Sequence, residues 1–190
     1  MTRDLMFKDE IQELVYTAYD ALDSPNGPAT RFYTRDQLDR LPAGARDWAL
    51  GVGNPTRHAK LAQGEHVADL GCGSGVDVLL AAGAVGPDGH VVGVDFLASM
   101  VERGAELAHE AGLANTIFLQ GEIEDLPLAD KSVDVVISNG AANLSARKSR
   151  VFAEAWRILR PGGRICLADL TLSEDRLPPE ILTHPSAWAG

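Results

Sequence analysis

A glycine-rich turn that follows Asp69 is the part of the sequence with the strongest indication of chemistry. Glycines alternate through residues 71–75, which read G-C-G-S-G and come directly after a short apolar run. Glycines let the backbone approach a ligand closely, and the turn leads into a predicted helix start, where amide groups are free to donate. The carboxylate of Asp69 would repel a pyrophosphate and attract an ammonium or sulfonium group. The turn therefore predicts a nucleoside ligand with a cationic tail.

Asp95 provides a second acidic side chain at the end of a strand. It ends the segment V-V-G-V-D and lies about 20 residues beyond the glycine turn, where an acidic residue accepts hydrogen bonds from ribose hydroxyls. That placement suits a nicotinamide dinucleotide and an adenosine ligand equally. A dinucleotide fingerprint needs Gly or Ala at position 76, where this sequence has Val76. Val76 and Asp69 together count against the nicotinamide alternative.

Polar residues also follow the third and fourth predicted strands. Glu122 is placed to accept a hydrogen bond from an adenine amino group while the neighbouring Ile123 packs on the ring. Glu124 and Asp125, further along this segment, are predicted to be solvated loop residues. Asn139 follows the fourth strand, at the edge of the sheet where a ligand contact is favoured over a helix cap.

Five short apolar runs must carry these side chains to one edge of a sheet. The runs are rich in Val, Ile and Leu without polar alternation, as strands buried on both faces are. They cover residues 66–70, 91–95, 116–120, 133–138 and 164–170. Helical patterns lie between them at residues 75–83, 98–111 and 146–159. The alternation predicts an α/β fold whose doubly wound parallel sheet binds ligands beyond the carboxyl ends of its strands. On the last helix, the spacing of Phe152 and Trp156 predicts core positions.

The first 63 residues follow a different pattern from the rest. Apolar residues at helical spacing predict a helix over residues 8–22. Thr34 followed by Gln37 resembles a capping box for a short second helix. We interpret residues 1–63 as an N-terminal helical cap or lid, and residues 64–190 as the ligand-binding domain.

Composition narrows the function classes. The 190 residues include 27 acidic and 17 basic side chains, and the net charge of −10 disfavours nucleic acid and anionic membranes as partners. The two cysteines, Cys72 and Cys166, provide neither a disulfide framework nor a cysteine-based zinc site, so no metal is expected. No apolar run approaches the length of a membrane span, and the charged first residues lack the apolar core of a signal peptide. A soluble cytoplasmic protein is expected.

These motifs resemble, in order and spacing, those of the class I S-adenosylmethionine (SAM)-dependent methyltransferases over residues 64–172. Within that group the sequence is most similar to arsenite methyltransferase-like proteins. The similarity lies in Gly-Asn-Pro at 53–55, Gly-Glu-Ile-Glu at 121–124, Ser-Asn at 138–139 and Trp-Ala-Gly at 188–190. The resemblance implies a Rossmann-like sheet, SAM as cofactor and a small-molecule methyl acceptor.

The resemblance also implies roles for individual residues. Those expected to form the turn around the methionine part of SAM are Asp69, Gly71, Cys72, Gly73 and Gly75. Those expected near the adenosine are Asp95 at the ribose, Phe96 and Met100 beside it, and Gly121, Glu122 and Ile123 at the adenine. Those expected around the sulfonium are Asn139 and Gly140, with Tyr19 closing the pocket and Tyr16 as its alternative.

Two departures from this family affect the predicted function. The arsenite methyltransferases that the chain resembles have cysteines where Val52 and Gly140 stand, and a third directly after a Trp-Ala-Gly like the one at which this sequence stops. Trivalent arsenic needs soft sulfur ligands, so arsenite methylation is disfavoured. The last two strands of a class I methyltransferase are also expected to be missing, which would leave the fifth strand as an exposed edge. Either a second copy covers that edge in a homodimer, or the chain is a shortened form of a longer protein.

The sequence therefore predicts transfer of a methyl group from SAM to a small nucleophile. No general base is identifiable, which favours a soft or already deprotonated acceptor such as a thiolate or a carbanion. Alignment of the reactants and exclusion of water would then supply the catalysis. Two alternatives stay open: a SAM-binding protein without efficient turnover, and an oxidoreductase that uses a nicotinamide cofactor.

Overall fold

Five parallel strands form the centre of the fold. The computed structural model describes residues 2–20 and 26–171, with side chains described for residues 10–19 and throughout the second range. The strands are β1 (His66–Leu70), β2 (His90–Asp95), β3 (Thr116–Gln120), β4 (Val133–Asn139) and β5 (Leu159–Ala168). Their order across the sheet is β3-β2-β1-β4-β5, and every neighbouring pair is parallel. The predicted α/β fold with a doubly wound parallel sheet is confirmed.

The switch in strand order lies between β1 and β4. The chain places β2 and β3 on one side of β1 and then returns to place β4 and β5 on the other. Ligands of such sheets bind outside the carboxyl ends of the strands at this point. Asp69 near the end of β1, Asp95 at the end of β2 and Asn139 at the end of β4 therefore share one edge of the sheet.

The fifth strand differs most from its predicted boundaries. The strand begins at Leu159 instead of residue 164 and ends at Ala168 instead of residue 170. The segment 160–163, which reads R-P-G-G, does not interrupt it, because the register with β4 shifts between Val133 and Val135. An irregularity of this kind accommodates extra residues in one strand of a pair. The other four predicted strands agree with the structure to within one residue at each end.

Helices cover both faces of the sheet. On one face lie α5 (Val76–Val85) and α6 (Ala98–Glu110), and on the other lies α7 (Lys148–Ile158). Apolar residues of α5 pack with Val67 and Ile137, whereas those of α7 pack with Ala68 and Val136. The three predicted helices are confirmed, with ends that differ by one or two residues.

One prediction about the core is wrong. Phe152 and Trp156 share a face of α7, as their spacing requires, but Trp156 is 78% exposed and Phe152 is 45% exposed. The side of α7 that packs on the sheet is formed by Val151, Ala155 and Ile158 instead. The spacing predicts that two residues share a face, and it does not say which face meets the sheet.

The N-terminal segment packs against α5 and α6. The helix α1 (Thr2–Asp20) begins earlier than predicted, and its predicted end at residue 22 lies outside the described residues. A 3-10 turn (Pro28–Phe32) follows, and then three short helices: α2 (Arg35–Asp39), α3 (Ala43–Asp47) and α4 (Pro55–His58). Thr34 and Gln37 form the predicted capping box in front of α2. Tyr33 and Leu41 belong to one hydrophobic cluster with residues of α5 and α6, which attaches this segment to the rest of the fold.

The linker between β3 and β4 is fixed by two charged side chains of α7. Arg157 donates to the carbonyl oxygens of Leu126 and Leu128 at 3.0 and 2.7 Å, and Glu154 accepts from the amide of Leu126 at 2.9 Å. Arg157 and Glu154 also form an ion pair at 2.7 Å. These bonds satisfy backbone groups of a segment that has no helix to satisfy them, so residues 121–131 keep a defined position.

Among the described residues, no helix has the length and apolar character needed to span a membrane.

Candidate functional site

A cavity of about 640 Å³ lies at the carboxyl ends of β1, β2 and β4. This volume is typical of pockets that hold small molecules, which measure roughly 300–1,000 Å³. All the residues predicted to contact a cofactor line the cavity, with the exception of Gly75. Those lining residues are Tyr19, Asp69, Gly71, Cys72, Gly73, Asp95, Phe96, Met100, Gly121, Glu122, Ile123, Asn139 and Gly140. The structure therefore brings the predicted residues together, while their roles toward a ligand stay predictions.

Gly75 packs against the sheet instead of lining the cavity. It directly precedes α5 with a φ of 87°, in the left-handed region that favours glycine. A Cβ atom at this position would lie 2.6 Å from the ring of Phe118 on β3, which is closer than real contacts allow. Gly71 does line the cavity, and a Cβ atom there would lie 2.2 Å from that of Ala141. The turn thus needs glycine at these positions for its backbone conformation and for close packing.

Asp95 ties the glycine turn to the end of β2. One carboxylate oxygen accepts from the amide of Gly73 at 2.8 Å, and the other accepts from the amide of Leu97 at 3.0 Å. Burial raises the pKa of Asp95, and these amide bonds oppose the rise. A carboxylate has about four lone-pair positions, so Asp95 keeps acceptor capacity for hydroxyl groups of a ligand.

Asp69 is a buried carboxylate with an unpaired oxygen atom. It is 2% exposed, and its Oδ1 has no hydrogen-bond partner. Burial raises the pKa of Asp69 well above its usual range, and the charges of Asp77 and Asp95 raise it further. A group in this state favours a cationic donor in the cavity, because such a donor supplies both a hydrogen bond and an opposite charge.

The structure adds Asp77, which the sequence reasoning missed. Its Oδ2 accepts from the hydroxyl of Tyr33 and from the side-chain amide of Asn139, each at 2.9 Å. Its Oδ1 is buried without a partner, as in Asp69. Burial raises the pKa of Asp77 to about 6, against the lowering effect of the two hydrogen bonds. The available signal was an acidic residue inside the apolar helix segment V-D-V-L-L.

Asn139 holds the N-terminal segment against the end of β4. Its side-chain oxygen accepts from the amides of Val52 and Gly53 at 2.8 and 3.0 Å, and its amide group donates to the carbonyl oxygen of Gly53 at 2.9 Å. A Cβ atom at Gly51 would lie 2.2 Å from Asn139 Nδ2, so the loop needs a glycine at that point. The predicted backbone role of Asn139 toward a sulfonium is therefore accompanied by a side-chain role in fixing the cavity wall.

The segment after β3 contributes one residue that was wrongly predicted. Glu124 lines the cavity and is buried, whereas the sequence suggested a solvated loop. Ser145 donates a hydrogen bond to the carboxylate of Glu124, and Arg150 donates to its backbone oxygen at 3.0 Å. The carboxylate is buried because the loop before α7 folds over it, which no local pattern shows. Asp125 is exposed, as predicted.

Two tyrosines of α1 take different positions. Tyr19 lines the cavity, and its pKa is raised by burial and by the charges of Asp95 and Asp169. Tyr16 is 51% exposed and lines a shallower neighbouring groove with Phe96. The structure therefore favours Tyr19 over Tyr16 as the residue beside a ligand in the main cavity.

Several residues of the cavity lining are apolar or lack a side chain. They are Leu50, Val52, Gly140, Ala141 and Leu144, and we call these five residues the apolar end. A Cβ atom at Gly140 would lie 3.5 Å from Val52 Cγ1, so the two positions adjoin. Neither position provides a thiol. Cys166 donates to the carbonyl oxygen of Pro55, and burial raises the pKa of both Cys72 and Cys166.

Acidic residues dominate the charge of the cavity. Among the described residues, those with acidic side chains in its lining are Asp69, Asp77, Asp95, Glu122, Glu124 and Asp169. Lys148 is the one basic residue of the lining in this part of the chain, and its ammonium group donates to the carbonyl oxygens of Asn143 and Ser145. Within the same residues, no group of three His, Cys, Asp or Glu side chains is arranged to hold a metal ion.

Comparison with known proteins gives consistent matches. A family model described as "Methyltransferase domain" matches residues 61–189. An arsenite methyltransferase of Halobacterium salinarum is 44% identical over 158 residues, which are 83% of this chain and 40% of that protein. A demethylmenaquinone methyltransferase of Symbiobacterium thermophilum is 41% identical over 106 residues, which are 55% of this chain and 42% of that protein. The chain thus spans about two fifths of the length of these curated relatives.

A solved structure agrees with these matches. The X-ray structure of an arsenic(III) S-adenosylmethionine methyltransferase from Chlamydomonas reinhardtii superposes with a TM-score of 0.72 at 39% sequence identity. The superposition covers 80% of this chain and 53% of that one.

Proposed function

The chain belongs to the methyltransferase-domain family, and we propose that it transfers a methyl group from S-adenosylmethionine (SAM) to a small-molecule acceptor. The observation that carries this proposal is the charge of the cavity. Six acidic residues and one engaged lysine line it within the described part of the chain. Such a wall attracts a cationic nucleoside and repels the pyrophosphate of a nicotinamide dinucleotide.

The residues of the cavity fit SAM. Asp69 has a buried, unpaired oxygen for a cationic group, and Asp95 keeps acceptor positions for ribose hydroxyls. Ile123 and Met100 line the same cavity, and we propose that they provide apolar contacts for the adenine ring. SAM supplies, when bound, a methyl group on a sulfonium that is already an activated leaving group. The chain's own residues then orient the reactants and exclude water, which is where the catalysis would originate.

The acceptor is proposed to bind at the apolar end and to be small and uncharged or soft. Val52 and Gly140 leave an apolar surface at the position where the family resemblance would place two arsenic-binding cysteines. Since trivalent arsenic requires sulfur ligands, and neither Val52 nor Gly140 provides one, arsenite is not the acceptor we propose. The surrounding carboxylates disfavour an anionic acceptor as well, so we propose a neutral soft nucleophile instead of the thiolate or carbanion expected from the sequence.

The test is a titration of the purified chain with SAM, followed by an assay for its demethylated product in the presence of candidate acceptors. Asp95→Ala should weaken SAM binding by about tenfold or more, which is about 1.4 kcal/mol. Asp88→Ala, at an exposed acidic residue outside the cavity, is the matched control and should bind like the wild type. Unchanged SAM affinity in Asp95→Ala would contradict the assigned site.

The same assay separates the alternatives. A chain that binds SAM and forms no product with any acceptor is a SAM-binding protein without efficient turnover. A chain that binds a nicotinamide dinucleotide more tightly than SAM would be an oxidoreductase. The acidic lining of the cavity does not favour SAM binding without turnover over methyl transfer. It opposes the oxidoreductase alternative, because it would repel the pyrophosphate of a nicotinamide dinucleotide.

We also propose that a second copy of the chain covers the edge of β5. This strand is an outer strand of the described sheet, and its Ile165 and Leu167 are partly exposed. Phe152 and Trp156 extend the apolar surface on α7, and an edge strand can pair with its own copy in a two-fold arrangement. Analytical ultracentrifugation should show a dimer that Trp156→Glu weakens. A wild-type chain that stays monomeric at high micromolar concentration would contradict the proposal.

A further inference from the structure

The loop between β4 and α7, which carries Leu144 of the apolar end, is tied to two carboxylates. Ser145, the residue after Leu144, donates a hydrogen bond to the side chain of Glu124. Asn143, the residue before it, donates its amide to Asp169 Oδ2 at 2.9 Å. Both carboxylates line the cavity, and neither is assigned a contact with SAM. The loop of the apolar end therefore adjoins two negative charges that the proposed cofactor site does not use.

The basic groups near this loop do not cancel these charges. Lys148 donates to two carbonyl oxygens of the loop at 3.1 and 3.3 Å, and its single positive charge faces two carboxylates. Arg150 donates to the backbone oxygen of Glu124 at 3.0 Å, but its guanidinium group forms an ion pair with Glu154. Negative charge is therefore in excess beside the apolar end.

The apolar end itself offers little hydrogen bonding to an acceptor. Its five side chains are aliphatic or absent. The amides of Val52, Gly140 and Leu144 already donate to oxygen atoms of the protein. A hydroxyl or amine bound there would lose hydrogen bonds to water without replacing them, which is unfavourable. The surface fits an acceptor whose nucleophilic atom carries only apolar groups.

A thioether meets both requirements, because its sulfur atom is neutral, bears two carbon substituents and has no proton. We propose that the acceptor is a thioether and that the acidic surroundings stabilise the sulfonium cation into which it is converted. This inference rests on the proposed function and names the substrate class of the apolar end. A lone pair of the acceptor sulfur forms the new bond to the methyl carbon, while the bond from that carbon to the sulfur of SAM breaks and leaves its electron pair there. No proton is released, and one positive charge passes from the cofactor to the product.

The two carboxylates have a function in such a transfer. Positive charge develops on the acceptor in the transition state, and Glu124 and Asp169 are fixed by hydrogen bonds before that charge arises. Glu124 is 7% exposed, so water and salt screen its charge little. A thiol acceptor would gain nothing from these charges, because it reacts as a thiolate, which they repel, and its product is neutral.

The first experiment compares two isomers of equal composition, dimethyl sulfide and ethanethiol, as acceptors for the full chain with SAM at pH 7.5. Mass spectrometry measures their products, trimethylsulfonium and ethyl methyl sulfide. Trimethylsulfonium should form faster by about tenfold or more.

The second experiment tests the charge without turnover. With S-adenosylhomocysteine bound, trimethylsulfonium should bind to the wild type about tenfold or more tightly than to Glu124→Gln, as measured by calorimetry. Glutamine can still accept the hydrogen bond of Ser145, so S-adenosylhomocysteine itself should bind to both chains within about twofold. Asp88→Asn, at an exposed acidic residue outside the cavity, is the matched control and should bind trimethylsulfonium like the wild type. Should Glu124→Gln fail to fold, Asp169→Asn removes the other charge and carries the same expectation.

The outcomes separate this inference from the proposed function. Methylation of ethanethiol as fast as that of dimethyl sulfide, or equal trimethylsulfonium affinity in the wild type and Glu124→Gln, overturns the thioether assignment and leaves methyl transfer standing. A chain that binds S-adenosylhomocysteine and methylates neither isomer also overturns the thioether assignment alone. A chain that does not bind S-adenosylhomocysteine removes the proposed function with it.

Discussion

Replacing Asp69 with asparagine should make the protein more stable and, at the same time, a weaker binder of SAM. Asparagine has nearly the same shape as aspartate, so the change isolates the effect of the buried negative charge. Burial and the charges of Asp77 and Asp95 raise the pKa of Asp69. A carboxyl group whose pKa is higher in the folded than in the unfolded protein lowers the folding stability at pH values above the unfolded pKa.

The size of the effect follows from the unpaired oxygen of Asp69. A buried polar atom without a partner costs about 1–3 kcal/mol, and a charged one costs more. Asp69→Asn should therefore raise the free energy of unfolding at pH 7.5 by about 1 kcal/mol or more, and each kcal/mol corresponds to a Tm increase of roughly 2–4 °C for a protein of this size. The gain should shrink as the pH falls toward 4, because the wild-type carboxyl group is then protonated in the folded protein. Asp77, with a pKa raised to about 6, lowers wild-type stability in the same way: the loss grows as the pH rises from about 4 to 6 and is complete above pH 6.

The assay is thermal unfolding of the ligand-free protein from pH 4.5 to 8, together with SAM titration at pH 7.5. Asp88→Asn, an exposed acidic residue, is the control and should unfold like the wild type at every pH. SAM affinity of Asp69→Asn should fall by about tenfold or more, because hydrogen bonds to charged groups contribute about 1.5–3 kcal/mol. A variant that is destabilised at every pH, or that binds SAM as tightly as the wild type, would refute the reasoning that this charge is kept for a ligand.

Two further changes test how the cavity is built. Gly75→Ala should lower the free energy of unfolding by about 1–3 kcal/mol more than the control Gly64→Ala, as measured by thermal unfolding. Both glycines have left-handed backbones, but only at Gly75 does a ring, that of Phe118, block a Cβ atom. Equal destabilisation by the two changes would contradict this reason. Arg157→Ala should destabilise the protein by about 1–3 kcal/mol and weaken SAM binding, because the linker after β3 loses its hydrogen bonds to the guanidinium group. Arg35→Ala, at an exposed side chain, is the control. A normal SAM affinity in Arg157→Ala would show that the linker keeps its position without these bonds.

The sheet could be predicted because its central strands are largely buried on both faces. Such strands form continuous apolar runs, and both ends of β1 agree with its run. The start of β5 was missed because Pro161 and Gly162 usually end a strand, and only the shifted register with β4 lets this one continue. The orientation of α7 was missed for a related reason, since the pattern of a helix with apolar residues on two faces does not say which face meets the sheet.

The candidate site could be predicted to the extent that it follows from the strand ends. Parallel strands bring their carboxyl ends to one edge, so Asp69, Asp95 and Asn139 were identified without any knowledge of packing. Tyr33 is 44 residues from Asp77, and its hydrogen bond depends on how a loop segment lies over the sheet, which has no periodic signal.

Asp77 has a signal in the sequence even though its contacts with Tyr33 and Asn139 have none. It stands in the apolar segment V-D-V-L-L, where the helix turns its apolar side to the core and an unpaired charge lowers stability. A residue that opposes the local pattern and yet keeps a buried charge is expected where a function requires it. The structure gives that residue a fixed position, an unpaired oxygen and a second carboxylate in the same wall. Its other oxygen binds Tyr33 and Asn139, so the buried carboxylate joins the N-terminal segment to the end of β4.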